Sequence, residues 1–367
     1  MNKQALRVGP FQLYCILMQA QFGSAVISIA SDLNDKSGTS AWISCLIGGL
    51  ANMIFVYLIW LLASKAPNSN VFQMLLQRLG GIFGRCLLAI LAAFYAGIAY
   101  VILTNWIYTT DLWAYERTPK WVLLFLFIAL CSYLVIQPVT VYARFAVLTT
   151  FFAPLFVIFA VYMFKDWNTY NLLPLLDKGP LKLLRGSVVV LWALAGIEIL
   201  LVIPQYVKHL GARKVLRIAL LSNGTTVLFY TFSVFSSLVL FGSEMISYIR
   251  EPLLYQMKAV SFDIIERMDL IIISVWILFV MTSFCSYFIL CVSSIAAMLK
   301  KKEEVPLWLA LVCGGLLFIA SIWRFSADQL DRFHEIINYW ATAASFALIA
   351  GTLLLLKAIG AKGTRKS

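Results

Sequence analysis

Charge is scarce in this chain. Only 13% of its 367 residues are Asp, Glu, Lys or Arg, while 62% are hydrophobic. A soluble protein of this length carries roughly a quarter charged residues, and a soluble core could not shelter so much apolar surface. The excess is therefore expected to face lipid. Histidine is almost missing, with two residues, His209 and His334, both in expected loops, so no metal site is expected. Zinc patterns, phosphate-binding glycine loops and dinucleotide fingerprints are absent. No span holds a pair of acids and no histidine neighbours a candidate nucleophile, which argues against an enzyme and against a cofactor. The seven cysteines form no C-x-x-C pair and all fall in apolar runs, as small side chains packed between helices would.

What is present is a series of long apolar runs. The polar–apolar alternation of a membrane barrel does not occur, and each run reaches the ~20 residues a helix needs to cross the hydrocarbon layer. They fall near 10–30, 40–63, 86–110, 119–137, 144–164, 186–207, 216–241, 268–298, 305–323 and 336–356. The first is not a cleavable signal, because further spans follow it with no small-residue cleavage pattern before a soluble region. The reading is an all-α integral membrane protein of about ten transmembrane helices. It forms a single polytopic domain over 1–367, with half-repeats about 10–164 and 186–357.

The net charge of +12 is explained by topology rather than by nucleic acid. With the N-terminus inside, the inner segments collect Lys3, Arg7, Lys65, Arg78, Arg85, Arg144, Lys208, Arg213, Lys214, Arg217, Lys300–Lys302 and the basic C-terminal tail. Their acids are only Glu303 and Glu304, and the outer segments are slightly acidic. Short basic inner loops place both termini in the cytoplasm and favour anionic headgroups of the lipid bilayer. Trp42, Trp60, Trp106, Trp113, Trp121, Trp308 and Trp323 sit near span ends, as interfacial rings do, whereas Trp192 and Trp276 lie deeper.

Two loops carry structure of their own. Val71, Phe72, Leu75, Leu76 and Leu79 share one helical face, which indicates a short amphipathic helix on the inner surface. Residues 243–261, interrupted by Pro252, suggest an outer helix-turn capping the bundle.

The candidate site lies where spans 1 and 6 look interrupted. Span 1 holds Gln19-Ala20-Gln21-Phe22-Gly23-Ser24, and span 6 holds Ala193-Leu194-Ala195-Gly196-Ile197-Glu198. Glycine lets the chain leave helical geometry, and freed backbone groups then need a buried partner or a ligand, since lipid offers none. Weak points at corresponding positions of two halves point to a five-plus-five inverted repeat with its site at the breaks. The plain alternative is that both glycines serve close helix packing. Glu198 is the only acid deep within a span, since Asp269 stands at the entry of span 8. At that depth a carboxylate must be paired, protonated or wet, so it either serves a ligand or proton or ties span 6 to a neighbour. In span 8, Ser283 and Tyr287 are four apart and share a face, where they could present hydroxyls to a cavity or simply satisfy the helix.

Taken in order, several segments resemble one family. They are Glu116-Arg117-Thr118-Pro119 before span 4, Asn171-Leu172-x-Pro174-Leu175-Leu176 before span 6, Gly196-x-Glu198 with Pro204 in span 6, and Glu266-Arg267-x-Asp269 with Trp276 in span 8. The chain is similar, nearly end to end, to the B subunit of spore nutrient germinant receptors, a branch of the amino acid–polyamine–organocation superfamily. The resemblance implies a LeuT-like fold with broken spans 1 and 6. It further implies a small germinant, an amino acid or sugar, bound in the spore inner membrane alongside an A-type membrane subunit and a C-type lipoprotein. By position, the pocket would draw on Gly23, Ser24, Tyr95, Ala195, Gly196, Glu198, Ser283 and Tyr287. Span 1 departs from the family pattern, because Phe22-Gly23-Ser24-Ala25 replaces a pair of glycines around a small residue and Ala30-Ser31 replaces a leucine-proline. From periodicity, charge and breaks alone, the alternative is a secondary transporter of amino acids or related solutes, proton-coupled through Glu198.

Overall fold

The computed structural model describes residues 7–115, 117–260, 268–301, 305–322, 345, 347 and 349–353. Every regular element among them is helical. Five stretches among the described residues, Ala25–Ala63, Gly81–Trp113, Val139–Asp166, Ala212–Ile246 and Met268–Met298, are long and apolar enough to cross a membrane. The expected span at 336–356 lies largely outside the described residues, as do Glu116, Glu266, Arg267, Glu303, Glu304, Trp323 and His334.

Span 1 is two helices, α1 (Pro10–Gln21) and α2 (Ala25–Ser37), and a turn at Gly38–Ser40 leads into α3 (Ala41–Ala63). The amphipathic segment is α4 (Val71–Leu79). Asn70 caps it by accepting the Gln73 N–H at 2.8 Å, which satisfies one of the first-turn donors. Val71, Phe72, Met74 and Leu75 are buried while Gln77 and Arg78 are exposed. Then follow α5 (Gly81–Trp113), α6 (Lys120–Val135), α7 (Val139–Thr150) and α8 (Ala153–Tyr162). The expected span at 144–164 is thus divided between α7 and α8. Pro154 stands in the first turn of α8, where its missing N–H is tolerated but a continuous helix is not.

Span 6 is α9 (Pro180–Ala193), a tight 3-10 stretch Ile197–Leu201 and the single turn α10 (Pro204–Val207). It is followed by α11 (Ala212–Ile246), kinked at Gly242, and by α12 (Pro252–Lys258), the helix-turn expected in that loop. The final described helices are α13 (Met268–Met298) and α14 (Leu307–Ile322).

At the centre lies α13, in which every residue from Thr282 to Ser294 is buried, the signature of a helix surrounded by protein rather than lipid. It packs along α5, while α3 packs on both α9 and α11 and α1 packs on α7 and α11. Small residues make the α3 contacts close. A Cβ on Gly48 would lie 2.6 Å from Val190 Cβ, and one on Gly49 2.6 Å from Val227 Cγ2. Six of the seven cysteines are buried, Cys86 is exposed and all are free. Trp276 is fully buried as expected. Trp106, read as interfacial, is buried too and stacks on Phe127 at 4.3 Å. Its place near the sequence end of a span hides the fact that α5 continues three residues further and turns that face inward.

Candidate functional site

Both expected interruptions are present and face each other. α1 stops at Gln21 and α2 begins at Ala25, with Phe22 in a non-helical conformation (φ −80°, ψ 77°). In span 6, Gly196 adopts φ +131°, a region open to glycine and strained for other residues. A Cβ at Gly196 would overlap the Ala20 carbonyl and sit 2.9 Å from Gln21 N. The two broken segments therefore touch backbone to backbone, which only a glycine at this position allows.

The backbone groups released by the breaks are met by side chains, as burial away from water demands. Ser283 donates to Ala20 O at 3.1 Å and Tyr230 donates to Gln21 O at 2.8 Å. Gln21 Nε2 donates to Leu194 O at 2.8 Å, and Gly196 N–H donates to Glu198 Oε2 at 2.7 Å. Spans 1, 6, 7 and 8 are thus joined at one level.

Of the residues expected to form the site, all but Ala195 are buried. Gly23 lies against Ser283, whose Oγ would be 2.9 Å from a Cβ at that glycine. The Tyr95 and Tyr287 rings approach to 6.4 Å, and the buried Glu198 carboxyl lies in their neighbourhood. Glu198 Oε1 and Tyr287 OH are buried without a hydrogen-bond partner. Ser24 precedes α2 and makes no capping bond, leaving that helix N-terminus open toward the break. Ala195 occupies the turn before Gly196 and is half-buried, so the structure does not draw it into the Glu198–Tyr95–Tyr287 cluster. Phe22 fills the gap in span 1 and contacts Phe229, Tyr230 and Phe279 at 4.5, 5.7 and 5.7 Å.

Sequence reading missed a second polar group beside these residues. Asn223 Oδ1 accepts from Asn52 Nδ2 at 2.7 Å and from Gln21 Nε2 at 3.0 Å, while Gln21 Oε1 and Asn223 Nδ2 have no partner. The signal was available, because Asn52 and Asn223 are amides within apolar runs and invite the same question as Glu198. A further network links Gln19 to Thr150 and Thr282, and Tyr142 to Ser286 at 2.6 Å. Asn223→Leu removes the acceptor shared by Gln21 and Asn52. Asn52 Nδ2 then loses its acceptor and Gln21 Nε2 keeps only Leu194 O. A buried donor left unpaired costs about 1–3 kcal/mol, so the variant is expected to melt below the parent in detergent. Unchanged melting would mean the amides contribute nothing to closing the break.

A family model described as "Spore germination protein" matches residues 7–330. The chain belongs to the spore germination protein family. Among curated relatives, spore germination protein GerQB of Bacillus cereus is 22% identical over 345 residues, covering 94% of this chain and 92% of that protein. Spore germination protein A2 of Bacillus subtilis (strain 168) is 23% identical over 343 residues, covering 91% of each. Among solved structures, a substrate-bound, outward-open Na+-coupled sialic acid symporter aligns with a TM-score of 0.69 at 13% identity, over 96% of this chain and 79% of that one. Mhp1, a nucleobase-cation-symport-1 family transporter in a closed conformation, aligns with a TM-score of 0.67 at 15% identity, over the same shares. The fold is the LeuT-like transporter fold with spans 1 and 6 broken, and the family is that to which the sequence motifs point.

Proposed function

We propose that this chain is the B-type membrane subunit of a germinant receptor, binding a small nutrient at the junction of the broken spans. The observation that carries the reading is the pair of orphaned buried groups there, Glu198 Oε1 and Tyr287 OH. Buried polar atoms without partners are costly, and a polar ligand entering between Tyr95, Tyr287 and Glu198 would satisfy both. An amino acid or sugar offers the donors this requires. Gly23, Ser24, Ala195, Gly196 and Ser283 would line the backbone side of the pocket. Binding would open the break that Phe22 fills, and a ligand that prefers the open state shifts the population toward it. The subunit would act in the spore inner membrane, with both termini cytoplasmic, beside an A-type membrane subunit and a C-type lipoprotein.

The transporter folds it resembles keep one rival reading, proton-coupled uptake through Glu198. Tagged chain isolated gently from spore membranes is expected to bring an A-type subunit and a lipoprotein in stoichiometric amount. Reconstituted alone, it is expected to bind nutrient without flux. Isolation as a lone chain that accumulates solute in proteoliposomes would overturn the receptor reading in favour of transport.

A further inference from the structure

Between α6 and α14 the surface opens into an apolar groove of about 500 Å³. Its walls are single helical faces, Phe125, Ile128 and Tyr133 on one side and Leu311, Gly315 and Phe318 on the other. The groove owes its shape to two adjacent glycines with opposite surroundings. Gly314 lets α14 approach α6, since a Cβ there would lie 3.0 Å from Ser132 Oγ and 3.2 Å from Ile128 Cγ2. Gly315 instead leaves a gap, with nothing within 4 Å of an added Cβ.

The two ends differ. At one, Phe125 and Phe318 meet edge to face at 6.2 Å and close the groove. At the other, Tyr133 and Trp308 are exposed, and Lys301 Nζ stands 5.9 Å above the Trp308 ring beside exposed Lys300. Lys300 holds φ +55° at the end of α13, a position where glycine is unstrained. Between Phe125 and Ile136, α6 rises about 16 Å at ~1.5 Å per residue. One leaflet of hydrocarbon is about 15 Å, half of the ~30 Å core.

We propose that this groove is a binding site for an anionic membrane phospholipid. One acyl chain lies between α6 and α14 with its end against Phe125 and Phe318, and the phosphate-bearing headgroup sits on Lys300 and Lys301. A slot one leaflet long, closed at its deep end and basic at its mouth, complements such a lipid in both shape and charge. This assignment goes beyond nutrient recognition at the broken spans, from which the groove is separate.

Full-length protein equilibrated with equal amounts of phosphatidylglycerol and phosphatidylcholine, then examined by native mass spectrometry, tests it. The parent is expected to retain phosphatidylglycerol at least tenfold over phosphatidylcholine. Gly315→Phe projects into open space and is expected to melt as the parent does while losing the retained lipid at least tenfold. Exchanging both Lys300 and Lys301 for Gln is expected to keep a lipid but erase the preference for the anionic one. Retention of phosphatidylglycerol by Gly315→Phe at the parental level would overturn the proposal. So would a parent that retains no lipid while Gly315→Phe weakens co-isolation with other subunits, which would assign the groove to a partner's helix.

Discussion

Gly196→Ala is expected to destabilise the protein by about 2–6 kcal/mol in all. At φ +131° a residue with a Cβ is strained by about 1–3 kcal/mol. The new methyl group also overlaps the Ala20 carbonyl and crowds Gln21 N. Both obstacles are backbone atoms, so no side chain can swing aside, and overpacking of this kind costs about 1–3 kcal/mol more. The contact it breaks is the one that seats span 6 on span 1, so lower melting in detergent should be accompanied by loss of the nutrient response. Gly97→Ala is the control, because nothing lies within 4 Å of the added Cβ and alanine favours a helix by about 0.8–1 kcal/mol over glycine. If Gly196→Ala melted like the parent, the two breaks would not be held in contact as described.

Glu198→Gln separates the bond that the carboxyl makes to the backbone from the ligand role proposed for it. One oxygen accepts the Gly196 N–H at 2.7 Å, and a glutamine carbonyl can replace it. The other oxygen is buried and unpartnered, and there the amide places an NH2 group that can neither accept a hydrogen bond nor take up a proton. The variant is therefore expected to accumulate and melt nearly as the parent does, yet to give no response to nutrient. Glu198→Ala also leaves the Gly196 N–H unpaired, at a cost of about 1–3 kcal/mol, and should lose both stability and response. A full nutrient response from Glu198→Gln would reduce Glu198 to a cap on the broken backbone and would remove the central element of the proposed site.

Much of this arrangement was legible because lipid is an unforgiving solvent. Apolar runs must be helices, and a glycine beside polar residues at that depth marks a place where the helix can break, although Asn223-Gly224-Thr225 stays within continuous α11. Gln19–Ser24 and Ala193–Glu198 satisfied that rule and both are breaks. Pro154 was visible in the expected span at 144–164, yet apolar residues on both sides of it masked the boundary between α7 and α8. The amide cluster was harder to foresee. Asn52 and Asn223 each look like a tolerated polar residue in isolation, and only the packing of α3 against α11 shows that they share one oxygen with Gln21. Trp106 shows the same limit, because closeness to a span end does not tell which way a ring points.

The surface helix α4 lies nearer the candidate site than its sequence position suggests. Phe72, on its buried face, meets the Tyr95 ring at 6.2 Å, and Tyr95 meets Tyr287 at 6.4 Å. Two ring contacts thus connect the heart of the bundle to a helix whose other side carries exposed Gln77 and Arg78. A close-packed interior has no slack to absorb a displaced ring. A turn of the Tyr95 ring would therefore press on Phe72, so the buried face of α4 shares a packing boundary with the candidate site.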